Sequence, residues 1–240
     1  GNFVLEYVLN LEKLNVDQKE IDKYCKENLD FKGVREYYID SLIKRQEYEE
    51  AIKLLNESVA KGQGWYVRDY IYRLKNLYKQ MGDMERYKEE LWKLVLKYDT
   101  GDVERYKELK GLYTDEEWLE KREIVFREVP SYHVEELYIL EGLYDRLIDI
   151  VMDSSGLSML NRYEDMLRDK YPDRLLKKYV KEVIAMTGKT GSWKHYRYMV
   201  SILRKMREYP GGETVVSKLV EDWKVRFKNR PSMMAELKRL

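Results

Sequence analysis

The sequence predicts an all-α protein, an irregular array of antiparallel helical hairpins. Apolar residues recur at steps of three and four almost everywhere along the 240 residues, the spacing of one helix face. No stretch keeps the alternation of period two that marks a strand between hairpin turns. Only 4 Pro and 13 Gly interrupt the pattern, and hydrophobic and charged residues make up 44% and 37% of the chain, so long helices with one buried face are expected.

Two helix starts carry the pattern of a capping box, in which a side chain at each end satisfies a free backbone amide. These starts are Asp17 with Glu20 and Thr114 with Glu117. Breaks between helices are predicted where Gly, Pro, Ser, Asp or Asn interrupt the apolar pattern. They fall near 31–33, 61–64, 82–83, 99–102, 130–131, 154–156, 172, 188–192, 210–212 and 230–231.

A helix rich in Tyr and Leu, a polar or Gly-containing corner and a second helix recur along the chain. The corners read RQEYEE, MGDMER and EGLYDR, and a weaker one is YTDEE. Each second helix begins with one residue predicted to face inward: Ala51, Tyr87, Trp118 and Leu147. Their spacings of 36, 31 and 29 residues bracket the tetratricopeptide period of 34. The units resemble tetratricopeptide hairpins in form, which implies a right-handed superhelix with a concave surface for a partner.

The last third of the chain has a different character. Tyr196, Met199, Leu203 and Met206 form one apolar stripe, and a second runs from Val216 through Leu219 or Val220 to Trp223 and Phe227. Pro231 suits the first position of a last helix that supplies Met233, Met234 and Leu237 as a lid. We expect residues 1–188 to form the repeat array and residues 189–240 to cap it, within one continuous domain.

This last segment resembles the end of bacterial SWIM zinc-finger family proteins. The resemblance is carried by Trp193-Lys194-His195-Tyr196, by Leu203, Lys205 and Met206, by the Pro-Gly-Gly corner at 210–212, by Trp223, and by Asn229-Arg230-Pro231-Ser232-Met233-Met234 with Glu236-Leu237. In that family a helical-repeat region follows a small zinc-binding module. The Cys-x-Cys and Cys-x-His ligands of the module are absent here, so the resemblance implies the helical region alone and assigns no zinc role to any residue.

Cysteine and histidine are scarce. Cys25 is the one cysteine and His133 and His195 are the two histidines, so neither an intramolecular disulfide nor a Cys/His zinc site can form. A reducing, cytoplasmic location follows as an expectation. No stretch has the features of a secretory signal or of a membrane span. The chain begins with Gly instead of Met, from which we expect a fragment of a larger protein.

Charge is distributed unevenly. Residues 186–240 hold 13 Lys or Arg against 5 Asp or Glu, whereas residues 1–185 hold 32 against 39. The basic segment either binds an acidic partner or nucleic acid, with Lys194, Arg197, Arg204 and Lys205 as the candidate contacts, or folds back on the acidic part of the chain. The ladder formed by Asp145, Asp149 and Asp153 is either compensated by a basic partner, including this segment, or an exposed acidic face.

The sequence contains no P-loop, dinucleotide-binding glycine motif or HExxH motif, and His195 has no nucleophile or carboxylate beside it. For His195 we favour packing or capping over a binding role. We therefore expect a non-catalytic module without a cofactor. It would bind another protein through partly exposed inner tyrosines, namely Tyr37, Tyr38, Tyr66 and Tyr70. The alternative is a nucleic-acid-associated module that uses the basic C-terminal segment.

Overall fold

The predicted fold class is confirmed, because the protein is all-α. The computed structural model describes residues 2–62, 65–188 and 191–240, which contain fifteen α-helices and no strand. The chain divides into two compact units, Gly1–Val134 and Glu135–Leu240. Within the described ranges, none of the helices is both long and apolar enough to span a bilayer.

The first unit contains eight α-helices in its described residues. They are α1 Asn2–Lys13, α2 Gln18–Glu27, α3 Lys32–Lys44, α4 Tyr48–Lys61, α5 Trp65–Met81, α6 Met84–Lys93, α7 Val103–Lys110 and α8 Asp115–Glu128. Helix α6 continues directly into a π-helical turn, Leu94–Tyr98, and a 3₁₀ turn, Ser131–His133, follows α8.

The second unit contains seven α-helices in its described residues. They are α9 Glu135–Leu140, α10 Tyr144–Asp153, α11 Ser158–Leu167, α12 Pro172–Thr187, α13 Trp193–Arg207, α14 Gly212–Arg226 and α15 Pro231–Leu237. The boundary predicted at 188 lies in this unit, and α12 and α13 on its two sides pack against each other. Lys189 and Thr190 in the predicted break at 188–192 lie outside the described residues, as do Gln63 and Gly64 in the break at 61–64.

Helices pack mainly against their neighbours in sequence. In the first unit α4 packs on both α3 and α5, and α5 packs on α6. In the second unit α12 packs on α11 and α13, and α13 packs on α14 and α15. The core therefore extends along each unit as a series of local layers. Neighbouring helices bury one another's apolar faces, which no single amphipathic helix can do alone.

The helix starts follow the capping pattern in the sequence. The capping box at Thr114 is confirmed: its hydroxyl accepts a hydrogen bond from the amide of Glu117, whose carboxylate accepts one from the amide of Thr114. At α2, the carboxylate of Asp17 accepts a hydrogen bond from the amide of Lys19, so Asp17 caps the helix, but the capping box predicted with Glu20 is not formed among the described residues.

Three corners between paired helices share one backbone geometry. In each, a residue with positive φ follows the first helix: Gln46 (φ 63°), Gly82 (φ 76°) and Gly142 (φ 67°). The amide of the next residue donates to a carbonyl five residues back, at 2.9 Å, 2.9 Å and 2.8 Å respectively. This is the Schellman end of a helix, which satisfies carbonyls that have lost their helical partners. The corners RQEYEE, MGDMER and EGLYDR thus form alike.

The inward positions predicted on the second helices are confirmed. Ala51, Tyr87, Trp118 and Leu147 are each at most 2% exposed. Ala51, Tyr87 and Leu147 each lie five residues after the positive-φ residue of their corner. The same backbone corner therefore places the same position of the second helix in the core, although the side chain there ranges from the methyl group of Ala51 to the phenol ring of Tyr87.

Polar contacts between successive hairpins of the first unit recur at nearly constant separation along the chain. Side chains 31–34 residues apart meet seven times: Lys32 with Tyr66, Asp40 with Arg73, Tyr48 with Gln80, Arg68 with Asp99, Tyr72 with Arg105, Lys75 with Glu108, and Thr100 with His133. The second unit has a shorter interval. There, contacts such as Tyr171 with Asp145 and Arg174 with Asp149 join residues 24–26 apart.

Candidate interaction surfaces

The four tyrosines predicted to be partly exposed divide into two pairs. Tyr37 is half-buried and Tyr66 is 55% exposed, as expected. The expectation is wrong for Tyr38 and Tyr70, which are 1% and 6% exposed. The spacing of the neighbouring apolar residues indicates that both tyrosines are buried. Tyr38 belongs to a stripe with Val34 and Leu42, all of it buried, and Tyr70 shares a stripe with Val67, Ile71, Leu74 and Leu77.

Tyr66 lies at a contact between α3 and α5. The Nζ atom of Lys32 is 3.4 Å from the centre of its ring, a cation–π geometry. Two turns further along α5, Tyr72 is 37% exposed and lies 5.2 Å from the guanidinium carbon of Arg105 on α7. Sequence reasoning missed Tyr72. Its position opposite the apolar stripe of α5 is the signal that would have found it.

These residues form a line of contacts across α3, α5 and α7. We call the set made by Lys32, Asp40, Tyr66, Tyr72, Arg73 and Arg105 the first-helix surface. Asp40 and Arg73 add an ion pair between α3 and α5. The surface therefore contains two exposed phenol rings, a cation beside each ring, and one ion pair between Asp40 and Arg73. Four of its six residues are Tyr or Arg, two residue types that are enriched at protein interfaces.

Tyr37 belongs to a neighbouring pocket of about 480 Å³. The pocket is lined by Glu12, Tyr37, Asp40, Ser41, Ile43 and Lys44. Burial, together with the nearby carboxylate of Glu12, raises the pKa of Tyr37 to about 12. The phenol is therefore protonated at neutral pH and can act as a hydrogen-bond donor, not as a base. Asp40 lines this pocket and also belongs to the first-helix surface, so the two features adjoin.

A polar network lies beneath the first-helix surface. Lys75, 3% exposed, donates to Oε1 of Glu108 at 2.7 Å, and Tyr87 Oη donates to the same oxygen at 2.7 Å. Arg105 donates to the second oxygen. Burial alone would raise the pKa of Glu108, but these three donors hold it at about 2. A carboxylate so fully occupied cannot serve as a general base, and it fastens α7 to α5 and α6.

The four basic residues singled out in the C-terminal segment have different environments. Lys194 and Arg197 are exposed beside Trp193, with the Arg197 guanidinium carbon 4.4 Å from the indole ring centre. Arg197 also lies 3.7 Å from Glu236. Arg204 donates to the backbone carbonyl of Arg239. The structure therefore gathers Lys194 and Arg197 around one aromatic ring and gives Arg204 a local partner.

Lys205 is half-buried, with 38% of its side chain exposed, and pairs with a buried carboxylate. Its ammonium group pairs with Glu164, which is 4% exposed and also accepts a hydrogen bond from Tyr209. Burial would raise the pKa of Glu164, but Lys205 and tyrosine hydroxyls lower it. Lys205, predicted as a contact for an external partner, instead pairs with Glu164 and so joins α13 to α11. This is the arrangement in which the basic segment folds back on acidic residues.

The aspartate ladder is compensated within the second unit, by α12 and the residue before its first turn. Arg174 donates to Asp149 at 2.7 Å, Lys170 lies 3.9 Å from Asp145, and Tyr171 donates to Asp145. The ladder therefore pairs with the next helices in sequence, and a contribution from residues 186–240 is not needed. Asp145, Asp149 and Asp153 are all exposed, which agrees with the expected exposed acidic face. Compensation by the basic segment is not what the structure shows for Asp145 and Asp149, because their partners Lys170 and Arg174 lie outside residues 186–240.

The histidines make local contacts. The Nε2 atom of half-buried His195 lies 3.1 Å from the carbonyl oxygen of Met186. His133 Nδ1 lies 2.6 Å from the hydroxyl of Thr100. The packing or capping role favoured for His195 agrees with this contact. Among the described residues, no three His, Cys, Asp or Glu side chains converge in a way that could hold a metal ion.

Comparison of the chain with family models, with curated proteins and with solved structures finds no match. The resemblance to the helical region of SWIM zinc-finger proteins therefore stays a prediction that rests on the residues of the C-terminal segment.

Proposed function

We propose that the chain is a non-catalytic helical-repeat module that binds another protein, and that it does so through the first-helix surface. The observation that supports this most directly is the recurrence, within residues 32–133, of side-chain contacts that join residues 31–34 apart. Such an interval arises when each hairpin repeats the path of the one before it. It agrees with the tetratricopeptide period of 34.

The recurring Schellman corners support the same proposal. Identical corners set similar angles between paired helices, and similar angles stack hairpins in register. A right-handed superhelix of degenerate tetratricopeptide-like units, with the C-terminal helices as a cap, is the architecture that we propose from these local repeats. In such arrays the first helices of successive hairpins line one surface, and partners bind along it.

The exposed aromatic side chains support the first-helix surface as the site of contact. Tyr66 and Tyr72 are exposed, yet each is held in place by a cation at its ring. Ordering of these rings before binding reduces the entropy that a partner must overcome. Large aromatic side chains at the centre of an interface commonly contribute much of its binding energy.

A comparison of matched tyrosine variants tests this proposal. The immobilised chain would capture proteins from an extract of the cells that encode it, in parallel with a Tyr66→Ala/Tyr72→Ala variant. The control is Tyr132→Ala, because Tyr132 is 69% exposed in the same unit but far outside the set that defines the surface. We expect at least one protein to bind the natural chain and the control and to be lost from the double variant. Recovery of the same proteins by all three chains would contradict the proposal.

A second candidate function, binding of single-stranded nucleic acid, is favoured by one specific observation. Trp193 and Tyr198 are 48% and 49% exposed on α13, and Lys194 and Arg197 lie at the indole ring. Aromatic faces stack on bases while cations neutralise phosphates. This patch is small, and Arg197 shares its charge with Glu236, so we rank this function second.

Titration of labelled single-stranded DNA and RNA with the chain, read by fluorescence anisotropy, tests this second candidate. Binding should weaken steeply with salt and fall in Trp193→Ala and Arg197→Ala, while Lys53→Ala, on exposed α4 surface, should have no effect. Lys205→Ala is unsuitable here because that side chain stabilises the interior. Absence of binding at low salt would remove this candidate.

A further inference from the structure

An apolar groove of about 480 Å³ lies between α12 and α14 in the second unit. Both helices pack on α13, and the groove separates their N-terminal halves. Its apolar walls are Leu176 and Val180 on α12 and Val215 on α14, and Pro210 with Gly211 closes one end. Leu176 is 7% exposed, and the two valines are half-buried. The groove is therefore an open surface feature whose floor is apolar.

Both walls continue by one helical turn. Ile184, four residues after Val180, is 43% exposed, and Leu219, four residues after Val215, is half-buried. From Leu176 to Ile184 the apolar strip of α12 extends about 12 Å, a little more than two turns. That length matches the apolar face of a short helix with anchors at i, i+4 and i+7.

The rim of the groove is basic along this strip. Lys177 and Lys181 on α12 and Lys218 on α14 are exposed, and none of the ion pairs found between the described residues uses them. This differs from neighbouring cations on the same helices: Arg174 pairs with Asp149 and the buried Lys178 with Glu182.

Acidic groups near the groove do not cancel this charge. Asp173 also lines the groove, one turn before Lys177. Glu213, in the first turn of α14, is 3.0 Å from Arg207. Three lysines without ion-pair partners therefore border an apolar strip, and this arrangement would attract a ligand that combines apolar anchors with negative charge.

We propose that the groove between α12 and α14 binds an acidic amphipathic helix of a partner protein. Apolar side chains of that helix would fill the space above Leu176, Val180 and Val215. Its carboxylates would lie against Lys177, Lys181 and Lys218. This groove is separate from the first-helix surface, so failure of this inference would leave the function proposed for that surface untouched.

A set of synthetic helices provides the test. The probe is a fluorescein-labelled peptide of about 18 residues, long enough to form a helix, with Leu along one face and Glu elsewhere. A second peptide replaces each Glu by Lys, and a third scrambles the Leu positions while keeping the composition. Anisotropy titrations would use the full chain. We expect the Glu peptide to bind at least tenfold more tightly than the other two.

Two variants locate the binding. Val180→Asp places a negative charge on the apolar wall and should lower the affinity for the Glu peptide at least tenfold. Lys177→Glu with Lys181→Glu should reverse the preference, so that the Lys peptide binds better than the Glu peptide. The second variant changes exposed residues only and gives a reversal that partial unfolding cannot produce. The matched control is Lys224→Glu, another exposed lysine of the same unit, which should leave both affinities unchanged.

Several results would overturn the inference. The first is that the Glu peptide does not bind at millimolar concentration. The second is that the scrambled peptide binds as tightly as the Glu peptide. The third is that neither groove variant changes the affinity for the Glu peptide. Displacement of the Glu peptide by a single-stranded oligonucleotide but not by unlabelled Glu peptide would instead assign these lysines to nucleic acid. Circular dichroism of each variant establishes that the helices remain folded.

Discussion

Lys75 Nζ lies 2.7 Å from a carboxylate oxygen of Glu108, 33 residues further along the chain, and the lysine is 3% exposed. The pair connects the first helix of one hairpin to the first helix of the next. Tyr87 and Arg105 donate to the same carboxylate, so both oxygens of Glu108 accept hydrogen bonds. This carboxylate is the centre of the polar contact between successive hairpins.

Glu108→Gln should lower the free energy of unfolding at pH 7 by about 2–3 kcal/mol, because it leaves Lys75 buried without a counter-charge. The folded pKa of Glu108, about 2, is below that of a carboxyl in an unfolded chain. Its contribution is therefore complete above about pH 5 and is lost as the pH falls towards 2. Urea unfolding at several pH values should show the difference between the two chains narrowing below pH 5.

The matched control for that prediction is Glu104→Gln on the same helix. Glu104 is exposed and meets only Lys107 one turn away, so the change should cost less than about 0.5 kcal/mol. A constant difference between the natural chain and Glu108→Gln from pH 7 to pH 3 would show that the charge of Glu108 does not stabilise the fold.

Gln46→Gly should raise the free energy of unfolding by about 0.5–1 kcal/mol. Gln46 has φ 63°, a conformation that costs an L residue about that amount and that glycine adopts freely. The reciprocal change, Gly82→Ala at the equivalent corner, should lower it by about 1 kcal/mol. A Cβ at Gly82 would meet nothing within 4 Å, so the cost is conformational alone. Thermal unfolding of the two variants should shift in opposite directions; shifts of the same sign would refute the equivalence of the corners.

Lys205→Ala should destabilise the chain by about 1–2 kcal/mol, whereas Lys194→Ala should leave its stability unchanged. Lys205 neutralises the buried Glu164, and its removal leaves that carboxylate with hydroxyl donors only. Lys194 is exposed on the same helix. Differential scanning calorimetry of both variants makes the comparison. Equal melting temperatures would mean that the Lys205 ion pair contributes nothing net.

Cys25 should react with a thiol reagent only after unfolding. It is fully buried, and burial, reinforced by Asp22, raises its pKa to about 11. At pH 8 the thiolate, the reactive form, is therefore scarce as well as inaccessible. Dithionitrobenzoate should label the native chain very slowly and label the chain in urea at once. Rapid labelling of the native chain would reveal frequent opening of the helices around Cys25.

Much of the fold could be predicted because its signals are local. A corner is recognisable in the sequence by a Gly or a polar residue between two apolar stripes. The first buried position of the second helix follows five residues after the positive-φ residue, as at Ala51 and Leu147. Tyr38 and Tyr70 were misjudged for a different reason. Tyrosine suits both a buried stripe and a wet surface, so composition alone does not separate them, whereas the phase of neighbouring leucines and valines does.

The candidate surfaces were harder to predict because they depend on pairings between helices. Nothing local in the sequence distinguishes Lys205, which pairs with Glu164, from Lys194, which is exposed about three turns earlier on the same helix. The groove between α12 and α14 is likewise invisible before the two helices are brought onto α13. Tyr72 and Arg105 became neighbours only through the stacking of one hairpin on the next.

The near-constant interval between contacting side chains in residues 32–133 has a mechanical consequence. Every one of those seven contacts joins a residue to one about one hairpin away, and none of them spans the whole unit. A pulling force applied at the two ends of this segment would load these contacts in series. The segment should then yield as a compliant spring, lengthening hairpin by hairpin at low force, in contrast to the single abrupt rupture of a fold sheared along parallel strands.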